Sequence, residues 1–140
     1  MSDNVYLGNP NLKKANTPIE WTEEMMVEFL KCKEDPVYFA NNHVKIVSLD
    51  EGLTQFHPYH FQEKLINNFH ENRFNICKMP RQTGKSTTVV SYLLHYAVFN
   101  DSVNIGILAN KAATARELLG RLQTAYENLP RWMQQGIISW

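Results

Sequence analysis

The residues Met79-Pro80-Arg81-Gln82-Thr83-Gly84-Lys85-Ser86-Thr87 constrain this chain more than any other stretch. A short apolar run, Phe74 to Lys78, leads into them, and a strongly apolar helical segment, Lys85 to Phe99, leaves them. A strand, a tight loop ending in Gly-Lys-Ser and a helix form an arrangement suited to cradling the phosphates of a nucleoside triphosphate. Gly84 has no Cβ, so the backbone can bend sharply and approach a phosphate closely. Successive N–H groups and the first turn of the helix offer partial positive charge to an anion. Lys85 is placed to reach the β- and γ-phosphates, and the Ser86 hydroxyl to ligate Mg²⁺. The usual pattern has a further glycine where Met79 stands, so the motif is incomplete. An ordinary basic helix start is the competing reading.

The rest of the chain sets wide bounds. Its 140 residues suffice for one modest domain with a core. Fourteen basic residues balance fourteen acidic ones, so no overall field points to nucleic acid or a membrane. No apolar window is long enough for a transmembrane helix, and the N-terminus lacks the features of a secretory signal. Cys32 and Cys77 stand alone, as suits a reducing cytosol, and read as small semi-apolar residues. His43, His57, His60, His70 and His95 show no metalloprotease-like spacing, so surface or core roles are expected rather than metal binding.

Periodicity and punctuation predict the elements. Residues 1–17 read as an extended arm or linker, and residues 18–140 as the N-terminal part of a P-loop ATPase domain. Thr22 is suited to cap a helix with Met25, Met26, Phe29 and Leu30 on its apolar face, and Asp35-Pro36 ends it and opens a shorter one, Val37 to Asn42. Val44 to Leu49 alternates as a strand, and Asp50-Glu51-Gly52 is a turn. Pro58 to His70 is an amphipathic helix with Phe61, Leu65, Ile66 and Phe69 inward. Phe74 to Lys78 and Val103 to Ala109 read as buried strands. Helix 85–99 lies between them, and helix 111–127 follows with Ala115, Leu118, Leu119, Leu122 and Ala125 inward. The order β-α-β-α predicts an α/β fold of the P-loop NTPase kind. Its parallel sheet is flanked by helices, still incomplete, and preceded by a helical N-terminal segment.

Several stretches together resemble the large terminase subunit of tailed phages, above all its T-even-like branch. They are Tyr6 to Asn16, Trp21 to Met25, Lys31 to Asp35, Pro80 to Thr87, Ile105 to Lys111, Leu129-Pro130 and Gln135 to Ile137. That family's Walker A loop also lacks the first glycine. The resemblance implies the N-terminal portion of an ATP-driven motor that moves double-stranded viral DNA into a procapsid. ATP and Mg²⁺ would be held by Pro80, Arg81, Gln82, Thr83, Gly84, Lys85, Ser86 and Thr87. Arg81 matches an arginine that neutralises charge on the γ-phosphate, with a salt bridge to a neighbouring acid as its alternative role. Gln62 matches an adenine-reading glutamine, with Phe61 as core or stacking partner; read without the resemblance, Gln62 is a polar residue on an amphipathic helix. Lys111, Thr114 and Arg116 follow a strand end, where a loop of related translocases touches nucleic acid; a solvated helix start accounts for them equally.

The same resemblance implies a portal protein and a small terminase subunit as partners and a homo-oligomeric ring. It places the motor in the host cytoplasm and transiently at the procapsid portal, with no membrane partner. Hydrolysis would need an Asp-Glu pair at the end of a further strand, and no apolar strand after Lys85 ends that way. The chain is therefore expected to stop before the Walker B and nuclease regions and to lack appreciable ATPase and nuclease activity by itself. The alternatives are a non-catalytic nucleotide- or DNA-binding piece acting with a second polypeptide, and part of a superfamily-2-like helicase.

Overall fold

Thr22 starts the first helix as a local hydrogen bond dictates: its Oγ1 accepts from Met25 N at 3.2 Å. In the computed structural model, which describes residues 4–140, that helix is α1 (Glu23–Glu34). Asp35 then caps α2 (Pro36–His43), its Oδ1 accepting from Val37 N and Tyr38 N, with Pro36 in the first turn where no N–H is needed. Before these helices come β1 (Val5–Tyr6) and β2 (Asn9–Lys13). After them come β3 (Lys45–Ser48), β4 (Gly52–Gln55), α3 (His60–Glu71), α4 (Lys85–Phe99), α5 (Ala112–Glu127) and a 3-10 turn at Arg131–Met133.

The predicted parallel sheet is absent among the described residues. The strands form two separate antiparallel pairs, β1 with β2 and β3 with β4, the latter in the register Lys45–Gln55 to Ser48–Gly52. The segments 74–80 and 103–109 belong to neither sheet. Among the described residues the P-loop NTPase sheet is thus corrected to a mixed α/β arrangement of five α-helices and two small hairpins. Apolar, β-branched composition favours an extended backbone, but a strand exists only where a neighbour completes its ladder. Phe74 and Ile76 are 84% and 100% exposed, and Leu108 is 92% exposed, so these side chains found no covering layer either.

The core is helical. Cys32, Phe39, Ala40, Val44, Ile66, Leu94, Val98, Ala125 and Met133 are buried together, joining α1 through α5 to the C-terminal segment. Phe39 lies at its centre, edge-on to Phe99 and His95 with ring centroids 5.3 and 5.5 Å apart. Helix α4 is buried as its composition predicts, but by α2, α3 and α5 instead of a sheet. On α3, Leu65 and Ile66 point inward, whereas Phe61 is nearly half exposed and Gln62 takes the buried position.

The N-terminal hairpin docks on the C-terminal segment. Gln134, buried, accepts from Lys13 N at 2.9 Å and donates to Asn11 O at 2.8 Å. Ile137 exchanges backbone hydrogen bonds with Lys13 and Ala15, and Leu12 is buried in the seam. Gly136 has φ +94°, and a Cβ there would sit 2.9 Å from Ala15 Cα, so the crossing requires glycine. Residues 4–17 of the expected arm are this hairpin and its exit; residues 1–3 lie outside the described residues.

Candidate phosphate-binding site

The loop between residue 79 and α4 is bent by two left-handed residues, Gln82 at φ +61° and Gly84 at φ +73°. Gln82 tolerates this conformation at a cost of about 1–2 kcal/mol, whereas Gly84 does so freely. Gly84 is also the N-cap of α4, a fifteen-residue helix with no acidic residue in its first turn. The turns thus aim the loop and the positive end of a long helix at one place.

The loop is braced from within. Thr83 Oγ1 donates to Pro80 O at 3.0 Å, and Lys85 Nζ folds back to Met79 O at 3.1 Å. Thr88 Oγ1 and Thr88 N both donate to Gly84 O, at 2.8 and 3.0 Å. No ion pair among the described residues joins Lys85 or Arg81 to a carboxylate. The ammonium of Lys85 is held by a neutral carbonyl, and a phosphate oxygen is a stronger, charge-assisted partner. Pro80, Arg81, Gln82 and Lys85 are exposed, while Thr83, Gly84, Ser86 and Thr87 are half-buried. Arg81 forms no salt bridge, so the alternative role foreseen for it has no counterpart among the described residues.

Gln62 is brought to the loop, but its amide is already engaged. Its Oε1 accepts from Tyr59 N at 2.8 Å, and its Nε2 lies 3.5 Å from Thr83 O and 3.4 Å from Gly84 O. In this arrangement Gln62 links the start of α3 to the loop. Beside it, Tyr59 and Phe61 stack with ring centroids 6.0 Å apart and planes 13° from parallel, both well exposed. Lys111, Thr114 and Arg116 stand exposed on the first turns of α5, and no hydrogen bond joins them to the loop among the described residues.

A cleft of about 690 Å³ opens between β3, α4 and α5 and shares Thr87 with the loop region. Ile46, Val47, Val90 and Ala125 give it an apolar lining, and Arg121, paired with Glu117 at 2.7 Å, and Lys45 give it charge. The strand at β3 and the turn after it were legible in the sequence, but β4 and the packing of β3 beside α4 and α5 were not, because they depend on tertiary contacts.

Two polar groups lie deep in the core. Burial pushes the His95 imidazole down to about 4, only partly offset by its bond to Cys32 O at 2.8 Å. Its Nδ1 and Ser91 Oγ, one turn apart on α4, are buried without a hydrogen-bond partner among the described residues. Burial, then the Glu28 charge, pushes the Cys32 thiol up to about 12. No known protein-family model matches the chain.

Proposed function

We propose that the chain binds the phosphates of ATP, with Mg²⁺, through residues Pro80–Thr87. The observation that carries this reading is Lys85, whose ammonium is neutralised by no carboxylate among the described residues, at the amino end of a fifteen-residue helix entered through Gly84. Lys85 would exchange Met79 O for β- and γ-phosphate oxygens. Ser86 would ligate the cation, and Arg81 would close over the γ-phosphate. The wider reading is the N-terminal portion of a viral DNA-packaging motor; it rests on the resemblance of the stretches from Tyr6 to Ile137 to large terminase subunits. Double-stranded DNA, a portal protein, a small terminase subunit and ring assembly belong to that wider proposal. So does a working place in the host cytoplasm and at the procapsid portal.

Hydrolysis needs carboxylates to hold the metal and orient water. No apolar stretch after Lys85 ends in an Asp-Glu pair, so the chain by itself is expected to bind ATP without appreciable turnover. Calorimetric titration with ATP, ADP and AMP in Mg²⁺ tests the phosphate site. Affinity should fall steeply as phosphates are removed, while equal affinity for AMP would place the ligand elsewhere. Salt-dependent binding of duplex DNA, weakened by Lys111→Ala and Arg116→Ala, tests the wider reading. Duplex binding indifferent to both substitutions would count against a role for α5.

A further inference from the structure

Glu28, Cys32 and His43 converge where α1 gives way to α2. One donor atom from each lies within 4.8 Å of the other two. Glu28 Oε1 is 2.8 Å from His43 Nε2 and 3.8 Å from Cys32 Sγ. Glu28 and Cys32 are four residues apart on α1 and share a face. His43 is the last residue of α2, aimed back at them by the Asp35-Pro36 corner.

We propose that this triad binds a divalent first-row cation, zinc in the first instance, which clips α1 to α2 and leaves a fourth position to water. Thiolate, imidazole and carboxylate together form a zinc donor set; Mg²⁺ and Ca²⁺ take oxygen alone. Tetrahedral bonds of about 2.0–2.3 Å put ligand atoms about 3.3–3.8 Å apart. The Glu28–Cys32 separation already falls there, and the Glu28–His43 pair must open by about half an ångström.

The supports of such a site are in place. Tyr38 Oη donates to Glu28 Oε2 at 2.9 Å, which leaves Oε1 for the cation. His95 anchors the Cys32 backbone through its carbonyl. The His43 ring is packed between Phe39 and Trp132. Cys32 is buried, but the Glu28 and His43 side chains retain 28% and 14% exposure, so a cation has a way in. On binding, the cation replaces the thiol proton, which passes to solvent.

The site was not visible as a motif, since its residues are spaced four and then eleven apart with only one cysteine and one histidine. The test uses the full chain carrying Cys77→Ser, which removes the exposed thiol, stripped by a chelator and titrated with Co²⁺ and then Zn²⁺. One equivalent of Co²⁺ should give thiolate-to-cobalt charge-transfer absorption with tetrahedral d–d bands. One equivalent of Zn²⁺ should erase them, and either ion should raise Tm. Cys32→Ser should abolish the charge-transfer band, and His43→Gln or Glu28→Gln should weaken binding by more than about tenfold. If Cys32→Ser does not fold, the two partly exposed positions, Glu28 and His43, decide alone. Absence of charge transfer in the parent, or binding and stabilisation unmoved by His43→Gln and Glu28→Gln, would overturn the proposal.

Discussion

Gln62 Nε2 sits 3.4 Å from the carbonyl oxygen of Gly84, and a Cβ built on Gly84 would meet that nitrogen at 2.5 Å. The amide of α3 therefore fills the space that glycine leaves at the head of α4. Glycine is required here twice, by its positive φ and by its neighbour.

Gly84→Ala follows directly. Strain at φ +73° should cost about 1–3 kcal/mol, and the contact with Gln62 adds to it. Denaturant unfolding should show the loss, and ATP affinity should fall with it. In Gly84→Ala/Gln62→Ala part of the loss should return, because the clash is gone while the φ strain remains. Strictly additive single and double variants would mean that the two residues do not touch.

His95 makes stability fall on acidification. Its pKa is about 6.5 unfolded and about 4 folded, so the unfolded chain takes up the proton first. The contribution of neutral His95 is complete above pH 6.5 and is lost as pH falls through 4. It is on the order of 3 kcal/mol at most. Glu28 also titrates at low pH: burial raises its carboxyl, but bonds from His43 and Tyr38 outweigh this and hold it below the usual range. The comparison must therefore be between the parent and His95→Gln, in urea midpoints from pH 8 to pH 4. The slope between pH 6.5 and 4 should flatten in the variant, and identical slopes would remove His95 as its source.

Gln134 holds the N-terminal hairpin. Gln134→Ala leaves Lys13 N and Asn11 O without their buried partner and should cost about 1–3 kcal/mol. Limited proteolysis should then cut within residues 4–17 faster than in the parent. An unchanged cleavage rate would mean that the hairpin is held by its other contacts.

The local elements were largely legible. Thr22, Asp35 and Gly84 mark helix starts by their own chemistry, and the apolar run 85–99 is a helix from end to end. What composition did not contain was pairing. Phe74–Lys78 and Val103–Ala109 carry strand-like side chains, yet a ladder depends on a neighbour that local sequence does not name. Gln62 illustrates the same limit at the site: the resemblance implied a role in reading adenine, but its engagement by Tyr59 N and by the loop carbonyls depends on a tertiary contact that local sequence does not name. The Glu28–Cys32–His43 cluster was missed for the same reason.

Hydrogen exchange checks the corrected topology. Backbone amides of 74–79 and 103–109 lie outside any sheet ladder and should exchange with little protection. Those in the middle of α4 should be protected strongly. Protection of both extended segments comparable to α4 would show that they are paired after all.

The most direct test of the account is equilibrium binding of ATP in Mg²⁺ to the full chain and to Lys85→Ala, with folding of the variant verified by circular dichroism. The Lys85 side chain is exposed and, among the described residues, bonded only to Met79 O, so its loss should leave the fold intact. The parent should bind ATP, and Lys85→Ala should bind it at least about tenfold more weakly, the loss of one charge-assisted contact. Equal affinity in the two proteins, or no binding to the parent, would contradict a phosphate site at this loop.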